Sequence, residues 1–153
     1  MNINTYQDFF TEQLQDMYSA ANQFEAALER VGGNSPSKEV SQLISTRREI
    51  LGGYRDQIKS LAHTCEISTD ETRCAAAEGI VRESREIDEI SDSEVRAAAT
   101  IGFLRRVSGY VAAALSTSLS LATKLDYGES AETLRKAFEQ EKRSRAELEE
   151  IAL

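Results

Sequence analysis

The stretch that decides the fold is Glu94–Leu125, EVRAAATIGFLRRVSGYVAAALSTSLSLATKL. It is the most apolar part of the chain, contains no Pro, and carries no charge from Val107 to Thr123. A helix that is apolar nearly all round must be enclosed, either by other helices or by lipid. A membrane span needs about 20 predominantly apolar residues. The uncharged window is shorter than that, and Ser108, Ser116, Thr117, Ser118 and Ser120 make it polar, while Arg105, Arg106 and Lys124 close it. The stretch therefore reads as a core helix and not as a span. Its many Ala, Gly and Ser residues suit close approach of neighbouring helices.

Working outward, the remaining chain supplies helices to cover it. The 153 residues form one domain, 1–153, at ordinary apolar (41%) and charged (29%) content. One Pro, no Trp and abundant Ala, Glu, Leu and Arg point to an all-α protein. A net charge of −8 argues against a nucleic-acid partner, because phosphate binding rests on an excess of Lys and Arg. No basic region followed by an apolar run opens the chain, so the expected location is cytoplasmic. Cys65 and Cys74 are expected as free thiols flanking a turn, too far apart for a CxxC pair. His63, the single histidine, falls near a helix end, where a solvent-facing or C-terminal capping role is expected and not a ligand role. There is no GxGxxG, Walker A or GxSxG word.

Five helices are expected, at about 4–31, 36–65, 70–90, 92–126 and 129–152. Thr5 with Asp8 makes a capping box for the first, whose seam runs Phe10, Leu14, Met17, Ala21, Phe24, Leu28, Val31 in alternating steps of four and three. Gly32-Gly33-Asn34 is read as a left-handed stop. Ser35-Pro36 is read as the cap and first residue of the second helix. The second seam is Val40, Leu43/Ile44, Arg47, Ile50/Leu51, Tyr54, Ile58, Leu61, Cys65. Gly52-Gly53 interrupts it, and a close helix crossing is the expected reason. The third helix, from about Glu71, has a narrow apolar face of Ala75/Ala76, Ile80/Val81, Ile87 and Ile90. Ser91 with Glu94 is read as the capping box of the central helix. The last helix places Leu134, Phe138, Glu141, Arg145, Leu148 and Ile151/Ala152 in its seam.

Arg47, Glu141 and Arg145 thus fall at positions that the apolar pattern buries. Either they snorkel to water or they meet inside, and a buried charge then needs an opposite charge and hydrogen bonds. Glu49 and Glu83 are further candidates for an interior polar network of Arg47, Glu49, Glu83, Glu141 and Arg145.

Four words, LQDMYSAANQ (Leu14–Gln23), CAAAEGIVRES (Cys74–Ser84), EVRAAATI (Glu94–Ile101) and FEQEKRSRAEL (Phe138–Leu148), in this order across nearly the whole chain, resemble the YciE/YciF-type ferritin-like family of bacterial stress-associated proteins. The resemblance implies a ferritin-like antiparallel four-helix bundle with an additional shorter helix, commonly a homodimer. It also implies a di-metal carboxylate and histidine site, most of which is missing from this chain. Ala21 stands where the first helix would carry Glu, and Thr46 where the second would carry His, while Glu49 and Glu83 remain. The central Glu-His-Tyr-Glu word is Ser108-Gly109-Tyr110-Val111; Glu141 is kept, and Arg145 replaces an acid.

The expectation is therefore a non-enzymatic, stress-associated or protein-interaction bundle that holds no cofactor, with arginine in place of metal, acting as a homodimer or on another protein. One alternative is a residual metalloprotein binding iron or manganese weakly through Glu49, Glu83 and Glu141 in oxidative-stress defence. Another is an adaptor or inhibitory protein for a specific partner.

Overall fold

The computed structural model describes residues 2–70 and 72–153. Among them there are helices and no strands: α1 (Tyr6–Gly33), α2 (Lys38–Thr64), α3 (Ala75–Glu83), a 3₁₀ turn (Ser84–Glu89), α4 (Ser93–Lys124) and α5 (Gly128–Glu150). The four long helices form an antiparallel bundle. Glu25 and Gly32 of α1 meet Arg55 and Ile44 of α2, Met17 and Phe24 of α1 meet Ser118 and Tyr110 of α4, and Arg105 and Ser108 of α4 meet Leu148 and Glu141 of α5. Contacts far apart in sequence therefore run in opposite directions between neighbours. The pairs α1–α2 and α4–α5 are joined by short turns, whereas α2 reaches α4 through one long crossover that carries α3 and the 3₁₀ turn. A single crossover of this kind is one established way of winding a four-helix bundle. The helices touch unevenly: α4 lies along α5 and α1 along α2, while α2 and α5 meet least among adjacent long helices.

Local sequence sets the helix ends, not always where the pattern put them. The Thr5–Asp8 capping box forms, the Thr5 hydroxyl accepting from Asp8 N–H and the Asp8 carboxylate accepting from Thr5 N–H. A bond from Asn4 N–H, and after it these two from Thr5, hold the Asp8 carboxyl below its ordinary range. Helix α2 starts later than expected: Ser37, not Ser35, is its cap and accepts from Val40 N–H. Asp92, not Ser91, caps α4, because its carboxylate reaches both Glu94 and Val95 N–H. The glycines that end α1 are not left-handed. The left-handed residues are Glu66 and Asp126, where Ile67 N–H reaches Ala62 O and Tyr127 N–H reaches Ala122 O across the ends of α2 and α4. Gly32 serves packing instead, since a Cβ there would stand 3.3 Å from Ile44 Cγ2.

The expected third helix is shorter and broken. It begins at Ala75, capped by the Cys74 thiol, and passes into 3₁₀ geometry at Ser84, whose hydroxyl donates back to Val81 O and competes with the backbone ladder. Ala75 and Ala76 face solvent, and Ala77 is the buried alanine. Glu71, the expected first residue of that helix, lies outside the described residues. Three arginines hold the crossover and chain end in place. Arg30 binds Asp88 and Ser84, Arg96 binds Ile90 O, and Arg105 donates to Leu148 O (3.1 Å) and Ile151 O (2.6 Å) at the carbonyl end of α5.

The core is made of the expected seams. Phe10, Leu14, Phe24 and Leu28 of α1, Leu51 of α2, Phe103, Leu104, Val107 and Leu115 of α4, and Leu134 of α5 are closed to solvent. No helix among the described residues is long and apolar enough to cross a membrane. In α5 the seam departs from expectation. It takes Leu134, Ala137, Glu141 and Leu148, with Ser144 half-buried, so that Phe138 is only partly covered and Arg145 is exposed.

A buried ion pair between α2 and α5

Two charged side chains lie in the interior. Arg47 is 2% exposed and Glu141 is fully buried. Arg47 Nη1 donates to both Glu141 oxygens at 2.8 Å, and Nη2 donates to Ser144 Oγ at 2.8 Å. Ser108, on α4, donates its hydroxyl to Glu141 Oε1. Tyr54, two turns beyond Arg47 on α2, donates to Ala137 O at 3.3 Å, and its phenol is held above its ordinary range by burial and by the nearby Glu141 charge. Three helices thus converge on one carboxylate. The guanidinium does not grip it as a two-pronged fork. One nitrogen spans both oxygens and the other turns to Ser144, so every charged group is hydrogen-bonded, as burial demands.

The other residues of the expected network are elsewhere. Arg145 is exposed and pairs with Glu149 one turn on, at 2.9 Å. The helical register offers Ser144 or Arg145 to the interior. Taking the small hydroxyl fills the space beside Arg47, whereas a second guanidinium would need a second buried carboxylate. Glu49 is exposed, because two residues beyond Arg47 is about 200° around the helix. Glu83 is exposed at the end of α3, which lies on the outside of the bundle. Glu49, Glu83 and Glu141 are therefore not gathered, and no group of three His, Cys, Asp or Glu side chains is placed to share an ion among the described residues.

Ser108 and Ser144 are partners that the apolar pattern did not single out. Ser108 had a legible signal, being the first hydroxyl inside the uncharged run of α4. A second polar cluster was missed altogether. Ser19 Oγ accepts from Cys74 N–H (2.9 Å), Gln23 Nε2 donates to Ser19 Oγ and Cys74 O (3.2 Å each), and the Cys74 thiol meets Tyr110 OH at 3.1 Å. These bonds tie the crossover to α1 and α4. Cys74 is buried and Cys65 half-buried, and both are free thiols. His63 is exposed in the last turn of α2. Burial and the bond to Cys74 push the Tyr110 phenol up.

Asp16, half-buried nearby on α1, is also pushed up from 3.8 by desolvation. Its folded form holds a proton more tightly than its unfolded form, so it lowers stability as pH rises above that ordinary value. Asp16→Asn should therefore stabilise the protein at pH 7 and give no gain at pH 3. Urea melts at the two pH values check this; equal gains at both would contradict it.

Comparison with known proteins places this architecture. A family model described as a domain of unknown function, DUF892, matches residues 5–153. Protein YciF of Escherichia coli (strain K12) is 30% identical over 155 residues, spanning 100% of this chain and 93% of YciF. The crystal structure of that E. coli stress protein superposes with a TM-score of 0.89 at 29% identity, covering 96% of this chain and 94% of that one. YcfI from Rhodopseudomonas palustris shares the fold, with a TM-score of 0.90 at 23% identity over 99% of this chain and 98% of its own. The chain belongs to the DUF892 family and is of the YciF type.

Proposed function

We propose that this chain is a non-catalytic, ferritin-like helical bundle with a stress-associated, protein-interaction role, in which the Arg47 guanidinium occupies the position of a metal centre. It works through its surface, as a homodimer or on another protein, in the cytoplasm. The single observation that carries this reading is the buried Arg47–Glu141 pair.

Ferritin-like di-metal sites take a Glu from each of two helices and a Glu-x-x-His from each of the other two, all pointing inward. Here α5 sends in Glu141, α2 sends in Arg47, α4 sends in Ser108, and α1 presents Ala20 and Ala21. One carboxylate already neutralised by a guanidinium does not fit such a centre, and a hard cation would need several more oxygens. The positive charge that metals would supply is carried by the side chain itself. The likeness to a relative named as a stress protein supports the physiological half of the reading.

The test is elemental analysis of the protein purified from cells grown with ample iron and manganese. Well under one metal per chain is expected, together with no peroxide-dependent oxidation of added ferrous iron. Near-stoichiometric iron or manganese that is lost in Glu141→Gln would overturn the reading.

A further inference from the structure

The pair Arg47–Glu141 spans the seam at which the bundle is least closed. Helices α2 and α5 meet less than any other adjacent long helices. The hydrogen bonds across this seam are all donated from α2: Arg47 to Glu141 and Ser144, and Tyr54 to Ala137 O. On the outer side of Arg47 a cleft of about 50 Å³ separates Leu43 and Ile50 of α2 from Leu148 and Ile151.

Helix α2 also carries a glycine that the packing does not require. Gly52 has a reason: a Cβ there would stand 3.2 Å from the Glu25 carboxylate, which is paired with Arg55. Gly53 has none, because a Cβ would meet nothing within 4 Å. In mid-helix such a glycine is unfavourable relative to Ala, and its effect is to make departure from helical geometry easier at that residue. It lies between the segment that holds Arg47 and the segment that holds Tyr54, Ile58 and Leu61.

We infer that Lys38–Gly52 is a hinged flap of the bundle, with Gly53 as its hinge and the Arg47–Glu141 pair as its latch. In the open state the flap leaves both α5 and the end of α1 on which Ile44 packs, Arg47 is drawn away from Glu141, and water reaches the carboxylate and Ser108. The flap is attached through Val40, Ile44 and Leu51, its buried apolar residues, while the fourth inward position is the arginine. A detached helix of this length is marginal in water, so opening exposes its amides. The second half of α2 stays in place, held by Ile58, Leu61 and Ala62 and by the Arg55–Glu25 pair. This device depends on the geometry of the pair and not on whether the protein takes up metal.

The experiment is amide hydrogen exchange read peptide by peptide on the full chain, comparing the unaltered protein with Gly53→Ala, Glu141→Gln and Leu14→Ala. Ala is favoured over Gly in a helix interior by about 1 kcal/mol, so G53A should slow exchange of the flap about five-fold. E141Q should speed it at least ten-fold, and should speed the facing carbonyl-terminal half of α5; because breaking the pair weakens the closed state against the open and the unfolded states alike, the centres of α1 and α4 should speed by a similar factor. L14A, which weakens the core far from the latch and whose contacts persist when the flap opens, should speed the centres of α1 and α4 and leave the flap's rate nearly unchanged. The proposal is overturned if the flap exchanges as slowly as the centre of α4 in the unaltered protein, or if L14A speeds the flap as much as it speeds the centre of α4. Neither result bears on metal content, so it can fail while the proposed function stands, and the reverse.

Discussion

Arg47→Met is expected to destabilise the protein by roughly 3–5 kcal/mol, because it leaves the Glu141 carboxylate buried without its cation. For a chain of this size that corresponds to a fall in Tm of roughly 6–20 °C. Glu141 is fully buried, and its remaining polar partner, the Ser108 hydroxyl, cannot replace a guanidinium. The double variant R47M/E141L should recover most of the loss and end within about 1 kcal/mol of the parent or above it, since well-packed apolar residues often match a buried ion pair in stability. Thermal and urea melts of the four proteins form a double-mutant cycle. A single variant within about 1 kcal/mol of the parent would mean that the pair is hydrated in solution. A double variant as unstable as the singles would mean that the guanidinium is needed for its shape as much as for its charge. The cycle therefore separates the cost of breaking the pair from the net worth of having it.

Phe24→Ala is expected to cost a further class of energy, that of packing, at roughly 3–5 kcal/mol. Phe24 is fully buried at the centre of α1, and its ring meets Tyr110 edge-on at 5.5 Å and 77°. Its loss opens a cavity between α1 and α4 and removes the wall against which Tyr110 holds the Cys74 thiol. The crossover should loosen with it, which limited proteolysis between α2 and α3 would detect. Phe138→Ala provides the comparison. Phe138 is half-buried, with Lys142 lying over its ring, and its removal should cost less than half as much. Equal losses for the two phenylalanines would show that α5 sits deep enough in the bundle to bury Phe138 fully.

That contrast also measures how far the sequence could be read. In α1 the alternating seam from Phe10 to Val31 leaves one face for the core, and all seven of its residues are buried. In α5 the same rule offers Ala137 or Phe138, then Ser144 or Arg145, and local spacing does not choose between them. The choice is made by α2 and α4. Arg47 already supplies the one cation that Glu141 can neutralise, so the bundle accepts Ser144 and turns Arg145 outward to Glu149. Helix starts were ambiguous for a similar reason. Ser35, Ser37, Ser91 and Asp92 are all competent caps, and the entry angle of the chain decides which side chain reaches the first free N–H groups.

The sequence by itself determined the class, the number and order of the α-helices, the buried face of α1 and the presence of charge inside, because each follows from periodicity along a single helix. Only the tertiary structure decided which charges pair. Arg47 and Glu141 are 94 positions apart, and the residues that complete their environment, Ser108, Ser144 and Tyr54, lie on three different helices. Burial of an ion depends on all the groups that surround it at once, and those are brought together by helix packing, not by spacing along the chain.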